Sequence, residues 1–133
     1  MTKISAANAD SFCKTAPRSA RFALLYGPDR GLVQERAGLV RSAVFGDDYD
    51  PMNHVKLTAT EVETDPVRLI DEARSLSLMG GPRLVEASGS DADLVRALTP
   101  LIAEPGTLSA FMLITADDLN TRSKLRTLAE KTD

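Results

Sequence analysis

Gly27-Pro28-Asp29-Arg30-Gly31 is the segment whose residue types come nearest to chemistry, because it joins a continuous apolar run, Phe22–Tyr26, to a helical pattern beginning at Arg30. Strand, glycine turn and helix start, in that order, are the parts of a phosphate cradle: backbone N–H groups and the positive end of the helix dipole converge on an anion. The G-x-x-x-x-G-K-[ST] form also needs a second glycine, a lysine for the phosphate charge and a hydroxyl for magnesium. Counting from Gly27, those three positions hold Leu32, Val33 and Gln34. Gly31 comes one residue early, and Arg30 cannot replace a lysine on the first helical turn. Leu32 and Val33 read as packing residues. The residues therefore predict a plain strand-to-helix turn capped by Asp29, a degenerate phosphate loop that holds no nucleotide cofactor.

Other groups with chemical potential are isolated. Asp117 and Asp118 follow the apolar run ending at Ile114, as magnesium-binding acids follow a strand, but without a phosphate loop they have no triphosphate to serve and turn chemistry accounts for them. His54 is the sole histidine and has no neighbour at metal or catalytic spacing, so it reads as a strand-edge residue. Cys13 reads as a small packing residue. Arg122, Lys124, Arg126 and Lys131 form a basic patch that could contact DNA or another subunit, but with Asp117, Asp118 and Glu130 offsetting it a solvated helix face is the better reading. No carboxylate pair, Cys–His cluster or Ser–His arrangement has the spacing of an active site, and no metal site is expected.

The elements that would position these residues alternate between short apolar runs and helical patterns, which predicts an α/β domain with a mainly parallel sheet. A weakly amphipathic helix is expected over 5–14 and a doubly covered strand over 22–26. Val33, Ala37, Val40 and Val44 give the next helix one buried stripe. Residues 54–57 suggest a second strand. Asp65 and Pro66 then mark a helix start, with Leu69, Ile70, Ala73 and Leu76 as its core stripe. Gly80-Gly81-Pro82 prevents continuation, and 83–87 reads as the third strand. Asp91 is expected to cap a helix carrying Leu94, Val95, Leu98, Leu101 and Ile102. Ala110-Phe111-Met112-Leu113-Ile114 is wholly apolar and should be a central strand, and 121–131 a last helix.

With 133 residues, 43% hydrophobic and 26% charged, the chain is sized for one globular domain. A net charge of -3 supplies no general field toward nucleic acid or an anionic membrane. One cysteine excludes an internal disulfide framework, and neither a signal peptide nor a membrane span is legible, so a cytoplasmic protein is expected.

Three segments, taken together, carry a family resemblance: Leu24-Leu25-Tyr26-Gly27-Pro28-Asp29, Ala73-Arg74-Ser75-Leu76-Ser77-Leu78-Met79-Gly80-Gly81-Pro82-Arg83, and Ser123-Lys124-Leu125-Arg126. In this order they resemble the N-terminal domain of the delta subunit of the bacterial DNA polymerase III clamp loader, over essentially the whole chain. The resemblance implies a P-loop NTPase-like, AAA+-type three-layer domain that does not hydrolyse ATP, with lid-like and collar domains expected beyond residue 133. It implies binding to the sliding clamp (the beta subunit), help in opening that ring for loading on primed DNA, and assembly with sister loader subunits. DNA would be met in the full complex, and no membrane. The clamp contact in that family is an apolar pair at the end of the helix after the second strand. The matching residues resemble Leu78 and Met79, preceded by Ser77, with methionine in place of the family's aromatic.

Spacing bears on that contact independently. Leu78 lies about 200° around the helix axis from Leu76, off the core stripe. Two apolar residues beside Gly80-Gly81 could anchor in a partner's pocket, or the chain could bend at Ser77 and bury both, the commoner fate of apolar residues. Two enzyme-like or signalling readings stand beside the interaction subunit: a P-loop ATPase or nucleotide kinase with an unusual loop, and a receiver-type phosphoacceptor. The latter needs an aspartate at the end of the third strand, where the sequence has Ser88.

Overall fold

The structure, a computed structural model, describes residues 13–14, 22–27, 29–47, 49–76, 80–104 and 109–116. Four strands form one parallel sheet: β1 (Phe22–Tyr26), β2 (His54–Leu57), β3 (Leu84–Ser88) and β4 (Phe111–Ala116), in spatial order β1-β4-β3-β2. Four helices connect them: α1 (Arg30–Phe45), α2 (Ala59–Thr64), α3 (Pro66–Arg74) and α4 (Asp91–Ala103). A parallel sheet needs cover on both faces, and the alternation along each strand supplies it. Ala23, Leu84, Phe111 and Leu113 point to one side, where they meet Ala37, Val40 and Phe45 of α1 and the buried Cys13. Phe22, Leu57, Val85, Ala87, Met112 and Ile114 point to the other, against Val62, Leu69, Ala73, Leu94, Ala97, Leu98 and Leu101 of α2, α3 and α4. The result is three layers, helix on sheet on helix.

β4 lies between β1 and β3 with Phe111 to Ile114 buried, the central position its apolar run requires. β1 is less enclosed than expected: among the described strands it lies at an edge, and Leu24, Leu25 and Tyr26 are only half-buried. α1 buries Val33, Ala37, Val40 and Phe45, while Val44 is half-buried. Its exit is at Gly46, in the left-handed region at φ 54°. In α4 the cap is Ser90, whose hydroxyl accepts from the Asp93 N–H, and Asp91 is the first helical residue. β3 starts at Leu84 and not Arg83. The expected helix 121–131 and most of 5–14 lie outside the described residues, although Cys13 and Lys14 are helical.

Because the strands are parallel, the two segments of functional interest fall at opposite ends of the sheet. Gly27 follows the C-terminal end of β1, whereas Gly80 to Arg83 lead into the N-terminal end of β3. Five residues of strand, about 17 Å, separate those ends.

Candidate functional site

The strand-end loop is organised around Asp29. Its backbone is extended, its carbonyl accepts from the Val33 N–H at 3.1 Å, and Oδ1 accepts from the Leu32 N–H at 3.1 Å. A carboxylate therefore stands at the positive end of α1 and takes a first-turn donor, the place and the bond that a phosphate would need. Gly31 has a role in this cap: a Cβ there would lie 3.3 Å from Asp29 Oδ1, so glycine leaves room for the capping oxygen. Val33 is buried as expected, whereas Leu32 is 37% exposed and lies outside the buried core. Arg30 and Gly31 are exposed, and Pro28 lies outside the described residues.

At the other end of the sheet α3 stops earlier than its apolar pattern suggested. It ends at Arg74, Ser75 turns extended, and Leu76 is 79% exposed instead of continuing the core stripe with Leu69 and Ala73. The angle measured from Leu76 along a continuing helix consequently has no helix beneath it. Donors from remote segments, side-chain and main-chain, take the last carbonyls of the helix. Arg83 Nη2 donates to the Glu72 carbonyl at 3.2 Å and pairs with its Oε2 at 2.6 Å. The Ser109 N–H donates to the Ala73 carbonyl at 3.0 Å, and the Ser109 hydroxyl reaches the Ala73 and Ser75 carbonyls. Ser75 Oγ donates back to the Asp71 carbonyl at 2.8 Å.

The return toward β3 runs through Gly80 and Gly81 at φ 77° and 88°, backbone that side-chain-bearing residues avoid. Asn53, just before β2, donates from Nδ2 to the Gly80 carbonyl at 3.2 Å. Ser77, Leu78 and Met79 lie outside the described residues, as do Arg122, Lys124 and Arg126.

A polar cluster was not legible from local spacing. Glu86, 4% exposed in the middle of β3, accepts from Arg41 Nε of α1 at 2.9 Å and is paired with His54 Nε2 of β2. His54 Nδ1 in turn contacts the Tyr49 hydroxyl at 3.2 Å, and the Phe45 and Tyr49 rings pack edge to face. His54 does open an edge strand, but it has a carboxylate partner 32 residues away in sequence. Burial by itself would raise the Glu86 carboxyl; Arg41 and His54 outweigh burial and hold it below its ordinary value. The signal in the sequence was a lone acid inside Leu84-Val85-Glu86-Ala87, since a buried strand tolerates a charge only when it is paired. Among the described residues no group of three or more His, Cys, Asp or Glu side chains could hold a metal ion. No described helix is long and apolar enough to cross a membrane.

Solved structures share this architecture. The Bacillus subtilis DNA clamp loader delta protein superimposes with a TM-score of 0.70 at 22% identity, over 94% of this chain and 40% of that one. A DNA polymerase III gamma subunit-related protein from Thermotoga maritima gives 0.62 at 11% identity, over 94% of this chain and 44% of that one. The chain thus spans less than half the length of either. No protein of curated function matches the sequence. The parallel four-stranded sheet between helical layers is an α/β domain with the fold of these two structures. The sequence model for the DNA polymerase III delta subunit matches residues 24–133, and the chain belongs to that family.

Proposed function

We propose that this domain docks on the sliding clamp through Leu78 and Met79, introduced by Ser77, and helps one interface of the ring to open so that the clamp can be loaded on primed DNA. The observation that carries the reading is Leu76, a large apolar side chain 79% exposed where α3 has just been terminated and immediately before Ser77. An apolar residue held out of the core at that point starts a run of anchors suited to a partner's pocket, and a flexible thioether at Met79 adapts to one. Membership of the delta subunit family supplies the partner.

The domain acts as a scaffold and not a motor in this proposal. The Asp29 cap supports a degenerate phosphate loop, because a carboxylate at the start of α1 repels the anion that a nucleotide would bring. ATP hydrolysis would fall to sister loader subunits, and Arg122, Lys124 and Arg126 would face DNA or those subunits in the complete loader. The test is clamp retention: rings loaded on nicked circular DNA are mixed with the protein and their release followed. Accelerated release is expected. Binding without any effect on retention contradicts the opening role.

A further inference from the structure

We propose that Asn53 is a positioning residue for the clamp contact: its buried side-chain amide holds the Gly80 carbonyl and so fixes where the chain re-enters the fold after the contact residues. The inference rests on the reading that residues 77–79 meet the clamp. Asn53 is 4% exposed, though it sits in a short turn, Pro51–Asn53, outside the sheet. Burying an amide is unfavourable unless it is hydrogen-bonded, and an apolar residue would fill the same space without that cost. Here the amide donates to the Gly80 carbonyl at 3.2 Å, and a Cβ on Gly81 would lie 3.6 Å from the same nitrogen, so the two-glycine return passes close against it.

Asn53 is itself firmly placed. Asp50 Oδ1 accepts from the Met52 N–H at 3.0 Å, the Asp50 carbonyl accepts from the Asn53 N–H at 2.9 Å, and the next residue, His54, is already in register with Leu84. On the outgoing side Ser109 and Arg83 hold the Ala73, Ser75 and Glu72 carbonyls. Ser75 and Gly80 are therefore each held by residues that stand just before the strands of the sheet. Fixing both ends of a short segment removes conformers before binding, which lowers the ordering cost of docking and lengthens the life of the complex.

The experiment measures the affinity of the full-length protein for the clamp ring in Asn53→Ala and in the near-isosteric Asn53→Asp, which removes the donor, together with amide hydrogen exchange of residues 76–82. Both variants are expected to weaken binding roughly three- to tenfold, mainly through faster dissociation, with exchange accelerated over 76–82 and unchanged in β3 and β4. Wild-type affinity in a variant whose 76–82 exchange has accelerated overturns the proposal, as does unchanged exchange in that segment. A variant with exchange accelerated throughout the sheet also overturns it, because Asn53 would then be holding the fold and not the contact. Leu78→Ala/Met79→Ala in the same assay separates the two readings. If that double variant binds normally, the clamp-contact assignment fails; if it loses binding while both Asn53 variants keep it, only the positioning role fails.

Discussion

Replacing Glu86 by glutamine keeps the shape of a buried side chain and removes its charge, leaving Arg41 and His54 facing a neutral amide. Breaking a fully buried ion pair by removing one partner costs about 3–5 kcal/mol. Here the Arg41 side chain is 29% exposed and that of His54 16%, so water recovers part of that cost. A loss of about 2–3 kcal/mol is the resulting expectation. For a domain of this size it corresponds to a fall in Tm of about 6–15 °C. Urea unfolding of the two proteins at pH 7 measures it, and a double-mutant cycle with Arg41→Met should return a coupling of about 1–2 kcal/mol. Acidification probes the same contact. The folded-state pKa of Glu86 is lowered from its ordinary 4.5, so its contribution is complete above about that value and is lost as the pH falls through the lowered folded value. The stability gap between wild type and Glu86→Gln should therefore narrow progressively below pH 4.5. A Glu86→Gln protein within about 0.5 kcal/mol of wild type at neutral pH, the range of ordinary surface substitutions, would refute the reasoning.

Calorimetry with ATP and magnesium should give no binding in the micromolar range, and a micromolar Kd contradicts the Asp29 argument. Asp29→Ala should cost about 1 kcal/mol of stability through the lost cap and should not create nucleotide binding, because the lysine and hydroxyl positions remain Val33 and Gln34. Leu94→Ala, in the buried core, should destabilise by about 2–5 kcal/mol in denaturant unfolding. Leu76→Ala should leave stability within about 0.5 kcal/mol of wild type while weakening clamp binding, a separation that a core residue would not show.

What was legible in the sequence was whatever a local pattern decides. The apolar runs of β1 and β4 and the Asp65-Pro66 helix start each rest on neighbouring residues, and the structure has them at those places. Helix α2 was missed although its signature was present: Thr58-x-x-Glu61 has the capping-box spacing, and in the structure the Glu61 N–H donates to Thr58 Oγ1 while that hydroxyl donates to Glu61 Oε1. Six residues with only Val62 buried give too short a stripe for periodicity to detect. The early end of α3 could not be read locally, because Arg83 and Ser109, which take its last carbonyls, lie 11 and 36 residues away. The same holds for Glu86, whose partners Arg41 and His54 are brought to it only when α1 crosses the sheet and β2 pairs with β3. Chain-distant pairing also sets the two candidate segments apart, since only the parallel topology puts the Asp29 cap and the Gly80 return at opposite ends of the strands.

The central claim is that residues 78 and 79 grip the clamp, and the affinity of Leu78→Ala/Met79→Ala for the ring tests it most directly. Burial of the two side chains in a partner's pocket should contribute about 3–5 kcal/mol together, so the double variant should bind at least a hundredfold more weakly with its unfolding transition unchanged. A double variant that binds the ring as tightly as wild type contradicts the account.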